Sequence, residues 1–169
     1  LRRERASWLV EKATELGVAA VRFLETERTV RELTAGTAAR LERVAAAALV
    51  QCHGSRLPEI TGPHPWTDLP ALLAPLPDRR LLDTALDGEG EATFGPPAQP
   101  EQPIALLVGP EGGWSDAERT ELRRQRCRPV SLGSRTLRVE TAAVVGAGLL
   151  LAQPGPIFPE TSPHDPLMS

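Results

Sequence analysis

The chain has 169 residues, which suits a single domain of ordinary size, and 41% hydrophobic with 24% charged residues is typical of a globular protein rather than a disordered one. No apolar run reaches the length of a membrane-spanning helix, about 20 residues. The net charge of −3 argues against a strongly basic protein. The two cysteines are far apart in sequence and do not form a redox pair, so a reducing cytoplasmic setting is expected. The three histidines are scattered, which argues against a metal site.

Helices and short apolar strands alternate along the chain, which predicts an α/β domain with a mainly parallel sheet. Apolar residues at helical spacing, stopped by Gly17, predict a first helix over 3–16 and then a strand over 18–24. The remaining predicted elements, in chain order, are a helix over 37–52, a strand over 57–60, a short helix over 68–73, strands over 79–86 and 104–108, a helix over 115–126, a strand over 129–132 and an apolar helix over 139–152.

Two segments are rich in turn-forming residues. Residues 87–102 carry many glycines and prolines and predict a loose loop. Residues 153–169 hold five prolines and predict a disordered tail. The folded domain is therefore expected over residues 1–152.

A glycine-rich turn, residues 109–113, follows the buried strand over 104–108; we call it the glycine turn. Ser115 and Glu118 after it form an S-x-x-E capping box that predicts a helix start. Ligands of open α/β sheets bind at carboxyl ends of strands, where glycines allow close backbone approach. The turn lacks a phosphate-loop lysine and a dinucleotide fingerprint, and on shape alone a tight structural turn that needs positive φ is favoured over a ligand site.

A second polar segment, residues 132–138, precedes the apolar helix; we call it the arginine loop. Arg135 and Arg138 stand three residues apart, and Glu140 lies next to them. These groups are candidates for a functional site. The alternative is that Glu140 caps the helix and the arginines are solvated.

A local basic patch stands out against the acidic average. Residues 119–138 contain seven arginines and a single acid, Glu121. This patch predicts an interaction with nucleic acid phosphates, and its alternative is a solvated helix face.

Four blocks of sequence occur in the order found in one known family. The glycine turn with Trp114 and Ser115, followed about twenty residues later by the arginine loop and residues 139–142, resembles the paired signature of the RsmE-type 16S ribosomal RNA uridine-N3 methyltransferases. Residues 11–17 and 26–28 resemble that family's first helix and the loop after its first strand. Residues 51–52 and 57–60 resemble a third block, although Val50 and Gly54 replace residues that are common in the family.

This resemblance implies a SPOUT-type fold: a mainly parallel sheet flanked by helices, with a trefoil knot near the C-terminus. It also implies a homodimer that binds S-adenosylmethionine within the knot. The helix over 139–152 is a candidate for the dimer contact, and burial in its own core is the alternative. The positions that match the donor site are Thr84, Ala85, Gly109, Glu111, Gly112, Gly113, Leu132, Gly133, Leu137 and Arg138.

The implied activity is methylation of uridine N3 in small-subunit ribosomal RNA, without a metal. Arg138 and Arg135 are the expected catalytic residues, with Glu140 orienting Arg138 or accepting a proton. The expected RNA contacts are Arg28, Arg56, Arg119, Arg123 and Arg124. The family's N-terminal β-barrel domain, which helps bind RNA, has no counterpart expected in this chain. The alternatives are a SPOUT methyltransferase for another RNA site and a non-catalytic RNA-binding or assembly module of the same fold.

Overall fold

The computed structural model describes residues 2–29, 35–83, 94 and 102–152, which form an α/β arrangement. The helices are α1 (Arg3–Glu15), α2 (Ala35–Gln51), α3 (Leu69–Leu73, preceded by a 3-10 turn at Trp66–Asp68), α4 (Asp116–Arg124) and α5 (Val139–Leu151). The strands are β1 (Ala20–Leu24), β2 (Glu59–His64), β3 (Asp78–Leu82), β4 (Ile104–Val108) and β5 (Arg128–Val130).

Every strand pairing among the described residues is parallel. β1 pairs with β2, while β3 lies between β4 and β5 in a three-stranded sheet. Leu82, the last residue of β3, is opposite Val108 on one side and Val130 on the other. The loops that follow β3, β4 and β5 therefore leave the same edge of the sheet, where ligands of open parallel sheets bind.

Two apolar clusters hold the layers together. One cluster lies between the three-stranded sheet and its helices: Leu69, Leu73, Leu81, Leu107, Trp114, Leu122 and Cys127. The other joins α1, α2 and β2: Ala6, Val10, Leu41, Ala45 and Ile60. The alanines on α1 and α2 let these helices approach each other closely, because a small side chain leaves the backbones near one another.

The structure confirms the α/β class and the parallel pairing, and it corrects the bounds of three strands. The strands predicted over 79–86 and 129–132 end at Leu82 and Val130. The predicted strand over 57–60 begins at Glu59 and continues to His64, through Gly62 and Pro63. Gly62 has φ +106°, and a Cβ there would overlap the carbonyl oxygen of Phe23 on the neighbouring strand. Glycine and proline usually end a strand, whereas here Gly62 and Pro63 form an irregular end of a short sheet.

Several expectations fall outside the described residues. They are the tail over 153–169, most of the loop over 87–102, and Thr84 and Ala85 after β3. Within the described ranges, no helix combines the length and the hydrophobicity needed to cross a bilayer.

Candidate functional site

A cavity of about 310 Å³ opens at the sheet edge where β3, β4 and β5 end. One wall is the glycine turn and the other is the arginine loop, as the sequence analysis predicts. Its lining includes these expected residues: Gly109, Glu111, Gly113, Leu132, Gly133, Arg135, Leu137 and Arg138. The strand ends and α5 add Leu82, Asp83, Val108, Val130, Val139 and Ala142, none of which was among the predicted site residues.

Packing against Trp114 fixes the shape of the glycine turn. The Trp114 side chain is buried, and its indole N–H donates to the carbonyl oxygen of Leu82 at 3.3 Å. A Cβ at Gly109 would lie 2.9 Å from that indole nitrogen, so this position requires glycine. Gly113 has φ +68° and donates its N–H to the carbonyl oxygen of Pro110 at 2.8 Å.

The capping box predicted at Ser115 and Glu118 is present at the start of α4. The Glu118 N–H donates to Ser115 Oγ at 3.3 Å, and the Ser115 N–H donates to Glu118 Oε2 at 2.8 Å. The other carboxylate oxygen, Oε1, accepts the backbone N–H of Glu27 at 2.8 Å. Glu118 is thus a buried group with a second, long-range role that the local motif did not predict.

The loop after β1 packs on the glycine turn through residues 26–29, which we call the threonine turn. The Thr29 side-chain oxygen accepts the N–H of Thr26 at 2.9 Å, which closes the turn. Arg28 donates from Nη1 to the carbonyl oxygen of Gly112 at 2.8 Å, and its aliphatic stem covers Gly112. Gly112 therefore faces Arg28 rather than the cavity, and Arg28, expected to contact RNA, lies beside the glycine turn.

The arginine loop presents two exposed guanidinium groups to the cavity. Arg135 and Arg138 are both exposed, and Arg138 is the N-cap residue of α5. Gly133 has φ +105°, a conformation that favours glycine, and its N–H donates to Ser131 Oγ at 3.2 Å. Positive charge is therefore concentrated on one wall of the cavity, where an anionic group of a ligand would be stabilised.

Glu140 lies under the site and is paired with α1. Its Oε1 is 3.5 Å from Arg5 Nε, while Arg5 Nη1 is 3.8 Å from Glu111 Oε1. Glu140 is buried, and its Oε2 makes no hydrogen bond to any described residue. Within the described part of the chain the arginine that pairs with Glu140 is Arg5, whereas the sequence analysis expected Arg138 to be its partner.

Asp83 is a residue of the site that the sequence analysis missed. It follows β3 directly, lines the cavity and has a side chain only 2% exposed. Arg119 pairs with it at 2.8 Å through Nε, and this hydrogen bond raises the pKa of the Arg119 guanidinium. The only sequence feature that could have identified Asp83 as a site residue is its position near the carboxyl end of a predicted strand.

The other expected RNA contacts lie away from the cavity lining. Arg56 is exposed in the loop after α2, and Arg123 is exposed on α4. Arg124 pairs with Glu121 at 2.8 Å on the same helix, an interaction that lowers the pKa of the Glu121 carboxyl. Of the basic patch, Arg123 is therefore exposed without a described ion pair, while Arg119 and Arg124 are engaged within the protein. No group of metal-ligating side chains was found in the ranges that the structure describes.

The three parallel strands end at one edge of the sheet, where the cavity lies between the glycine turn and the arginine loop. This edge is the ligand-binding edge of an α/β domain. The chain belongs to the RNA methyltransferase domain family, whose sequence model matches residues 1–151. This result confirms the family resemblance found in the sequence.

Individual relatives agree with this membership. The ribosomal RNA small subunit methyltransferase E of Synechocystis is 34% identical over 143 residues, 81% of this chain and 46% of that protein. The enzyme of the same name from Neisseria gonorrhoeae, solved bound to S-adenosylmethionine, has a TM-score of 0.73 and 25% identity, covering 85% of this chain and 59% of that one. A protein of Legionella pneumophila solved with the same bound cofactor has a TM-score of 0.71 and 28% identity, covering 88% and 60%. The chain thus spans about half to three fifths of the relatives it matches.

Proposed function

We propose that this domain is the catalytic domain of an S-adenosylmethionine-dependent methyltransferase that acts on N3 of a uridine in small-subunit ribosomal RNA. The observation that carries the proposal is the cavity between the glycine turn and the arginine loop. Family membership and the relatives solved with S-adenosylmethionine support the activity. The specificity for uridine N3 follows from the resemblance to the RsmE-type family.

The cavity has the chemistry that S-adenosylmethionine needs. Its volume of about 310 Å³ falls at the lower end of small-molecule sites. Leu82, Val108, Val130, Leu132 and Leu137 offer an apolar surface for the adenine ring. The glycine turn offers backbone groups for polar edges of the ligand. Asp83 lines the same cavity, with its carboxylate held by Arg119. When bound, the cofactor supplies an activated methyl group on a sulfonium centre.

The chain's own residues would prepare the uridine. N3 of uridine carries a proton and becomes a good nucleophile only after losing it, so the site must stabilise a negative charge on the base. We assign this role to Arg138 and Arg135 of the arginine loop, and their position in the cavity lining supports the assignment. Holding the base in one orientation supplies a further large part of the rate. Glu140 contributes indirectly, through Arg5 and the position of α5.

RNA contacts belong to the exposed arginines around the cavity mouth and on α4. We assign the phosphate contacts to Arg28, Arg56 and Arg123, with Arg119 and Arg124 contributing only if their internal ion pairs rearrange. Such contacts position the RNA without reading its sequence. The target base must leave its stack to reach the cavity, as for other enzymes that modify bases.

The proposal includes the assembly and location typical of the family. α5 exposes Val145, Leu149 and Leu151, and Leu16 at the end of α1 is exposed as well. This apolar surface supports a homodimer, because exposed apolar patches mark association sites. The strand order supports the proposed trefoil knot, because β3 lies between β4 and β5, two strands that come later in sequence. A cytoplasmic location follows from a ribosomal RNA substrate.

The test is methyl transfer by an Arg138→Ala variant. We expect radiolabelled methyl transfer from S-adenosylmethionine to unmethylated small-subunit particles to fall at least about a hundredfold, with an unchanged thermal midpoint. Arg40→Ala, at an exposed position of α2, is the charge-matched control and should keep its activity. Full activity of Arg138→Ala would overturn the catalytic assignment. Failure of the wild-type protein to bind S-adenosylmethionine would overturn the proposed activity.

A further inference from the structure

One buried carboxylate connects two loops that leave different sheets. Glu118 is 4% exposed and accepts two backbone N–H groups, that of Ser115 at 2.8 Å and that of Glu27 at 2.8 Å. The first bond belongs to the capping box of α4, which follows the glycine turn. The second reaches a residue 91 positions away, in the threonine turn. Hydrogen bonds to a charged acceptor are the strong ones, and a buried carboxylate that lost them would be left unsatisfied.

A second, independent bond joins the same two loops. Arg28 Nη1 donates to the carbonyl oxygen of Gly112 at 2.8 Å. A Cβ at Gly112 would lie 3.1 Å from the Arg28 Cβ, so the two segments are in close contact along the side-chain stem. The threonine turn is closed internally by the Thr29 hydroxyl, which accepts the Thr26 N–H. The threonine turn is thus closed by its own hydrogen bond and is held to the glycine turn and the start of α4 by two more, so we expect these segments to move together.

We infer that Glu118 is a positioning residue that joins the threonine turn to the glycine turn as one unit, so that donor binding and RNA binding are energetically coupled. The inference rests on the proposed function, in which the glycine turn meets the donor and Arg28 meets the RNA. A ligand that orders the glycine turn also orders the threonine turn through the two bonds. Coupling between two binding equilibria is reciprocal, so bound RNA increases donor affinity by the same factor.

The chemistry of the bridge requires a carboxylate. Two N–H donors point at Glu118, and a carboxylate has two oxygen atoms to accept them. The amide of Glu118→Gln has the same shape but only one acceptor oxygen, and its NH2 group would face a backbone N–H. This variant therefore keeps the packing and loses one of the two bonds. The loss of one bond to a charged acceptor corresponds to a change of roughly tenfold or more in an equilibrium.

Hydrogen exchange of the threonine turn measures the coupling directly. We expect S-adenosylmethionine to slow amide exchange at residues 26–29 of the wild-type protein. In Glu118→Gln this donor-induced protection should fall by roughly tenfold. Arg28→Ala should lower it in the same direction. Glu121→Gln is the matched control, because Glu121 lies three residues further along α4 and pairs with Arg124 and Gln125 on its own helix.

Binding to RNA supplies the second readout. The wild-type protein should bind small-subunit particles more tightly when S-adenosylhomocysteine, the demethylated cofactor, is present than when it is absent. The affinity of Glu118→Gln for the same particles should be nearly the same with and without it. If wild type binds the donor but residues 26–29 exchange at the same rate with and without it, the inference is overturned while the proposed function stands. Equal donor-induced protection in wild type and both variants overturns it as well. If Glu118→Gln does not fold, the donor-induced protection of residues 26–29 in Arg28→Ala is the test, because Arg28 is exposed and its replacement should leave the fold intact.

Discussion

Arg5 Nε lies 3.5 Å from Glu140 Oε1, which connects the first helix of the domain to the last. The same guanidinium approaches Glu111 of the glycine turn at 3.8 Å. A cation on α1 therefore stands between the carboxylate of Glu111, which lines the cavity, and that of Glu140, which is buried at the start of α5. Since like charges repel, Arg5 sets how closely the glycine turn and the start of α5 approach each other.

Replacing Arg5 by alanine should weaken both the fold and the site. Glu140 is buried, and its Oε2 has no hydrogen-bond partner in the described part of the chain, so loss of Arg5 leaves a poorly compensated charge. We expect the free energy of unfolding to fall by about 1–3 kcal/mol, less than for a fully buried pair because Arg5 is about one-third exposed. Denaturant unfolding measures this change. The double variant Arg5→Ala/Glu140→Gln should recover part of the loss; a double variant as unstable as the sum of the single changes would show that the two residues do not interact.

Gly109→Ala should damage the glycine turn. The added Cβ would lie 2.9 Å from the Trp114 indole nitrogen, which is buried and bonded to Leu82. Overpacking of this kind costs about 1–3 kcal/mol and should also weaken donor binding, measured by thermal unfolding and calorimetry. Gly36→Ala is the control, because Gly36 lies in the first turn of α2 with no described atom within 4 Å of the added Cβ, and the free energy of unfolding should change by less than about 1 kcal/mol. A Gly109→Ala protein as stable as wild type would mean that Trp114 moves aside freely.

Two arginines of the basic patch should behave differently toward RNA. Arg123 is exposed, whereas Arg119 is held by Asp83 at the cavity. Arg123→Ala should reduce the slope of log affinity against log salt by about 0.7–0.9, the value for one phosphate contact. Arg119→Ala should leave that slope nearly unchanged and instead weaken donor binding, because it releases Asp83. Salt titrations of RNA binding decide this, and an equal loss of slope in both variants would contradict the distinction.

The interior thiol gives a pH dependence with a defined sign. Burial raises the pKa of Cys127 to about 11 from its ordinary value of 9.0. Between these values the unfolded chain releases the proton and the folded chain keeps it, so stability is complete below pH 9 and falls as the pH rises toward 11. The slope is at most about 1.4 kcal/mol per pH unit. Chemical unfolding of Cys127→Ala between pH 8 and 11 should show a shallower loss; the same slope in both proteins would rule out this thiol as the cause.

Local patterns in the sequence predicted the main elements and the two walls of the site. The alternation of strands and helices gave the parallel sheet, and the Ser115–Glu118 spacing gave the capping box. Parallel strands end at one edge, so loops that follow β4 and β5 had to meet. The resemblance to a known family then indicated which residues of the two walls are expected to bind a ligand.

Contacts between residues far apart in sequence could not be predicted in this way. Nothing local indicates that Arg5 pairs with Glu140, or that Glu118 accepts the N–H of Glu27. Asp83 was missed because its only signal was a strand end whose exact position the pattern did not fix. The predicted end of β2 at residue 60 was too early because a glycine and a proline usually end a strand, whereas here pairing with β1 shifts register past Gly62 and Pro63 and resumes at His64, opposite Leu24.

The central claim is that the cavity between the glycine turn and the arginine loop binds S-adenosylmethionine. Ala142 lines this cavity from α5, and Ala142→Leu would fill it with a good helix-forming residue. Calorimetric titration should give one bound molecule per chain for wild type and for Ala39→Leu, at an exposed position of α2, and an affinity roughly tenfold or more weaker for Ala142→Leu. Absence of binding to wild type, or equal affinity in wild type and Ala142→Leu, would contradict the claim.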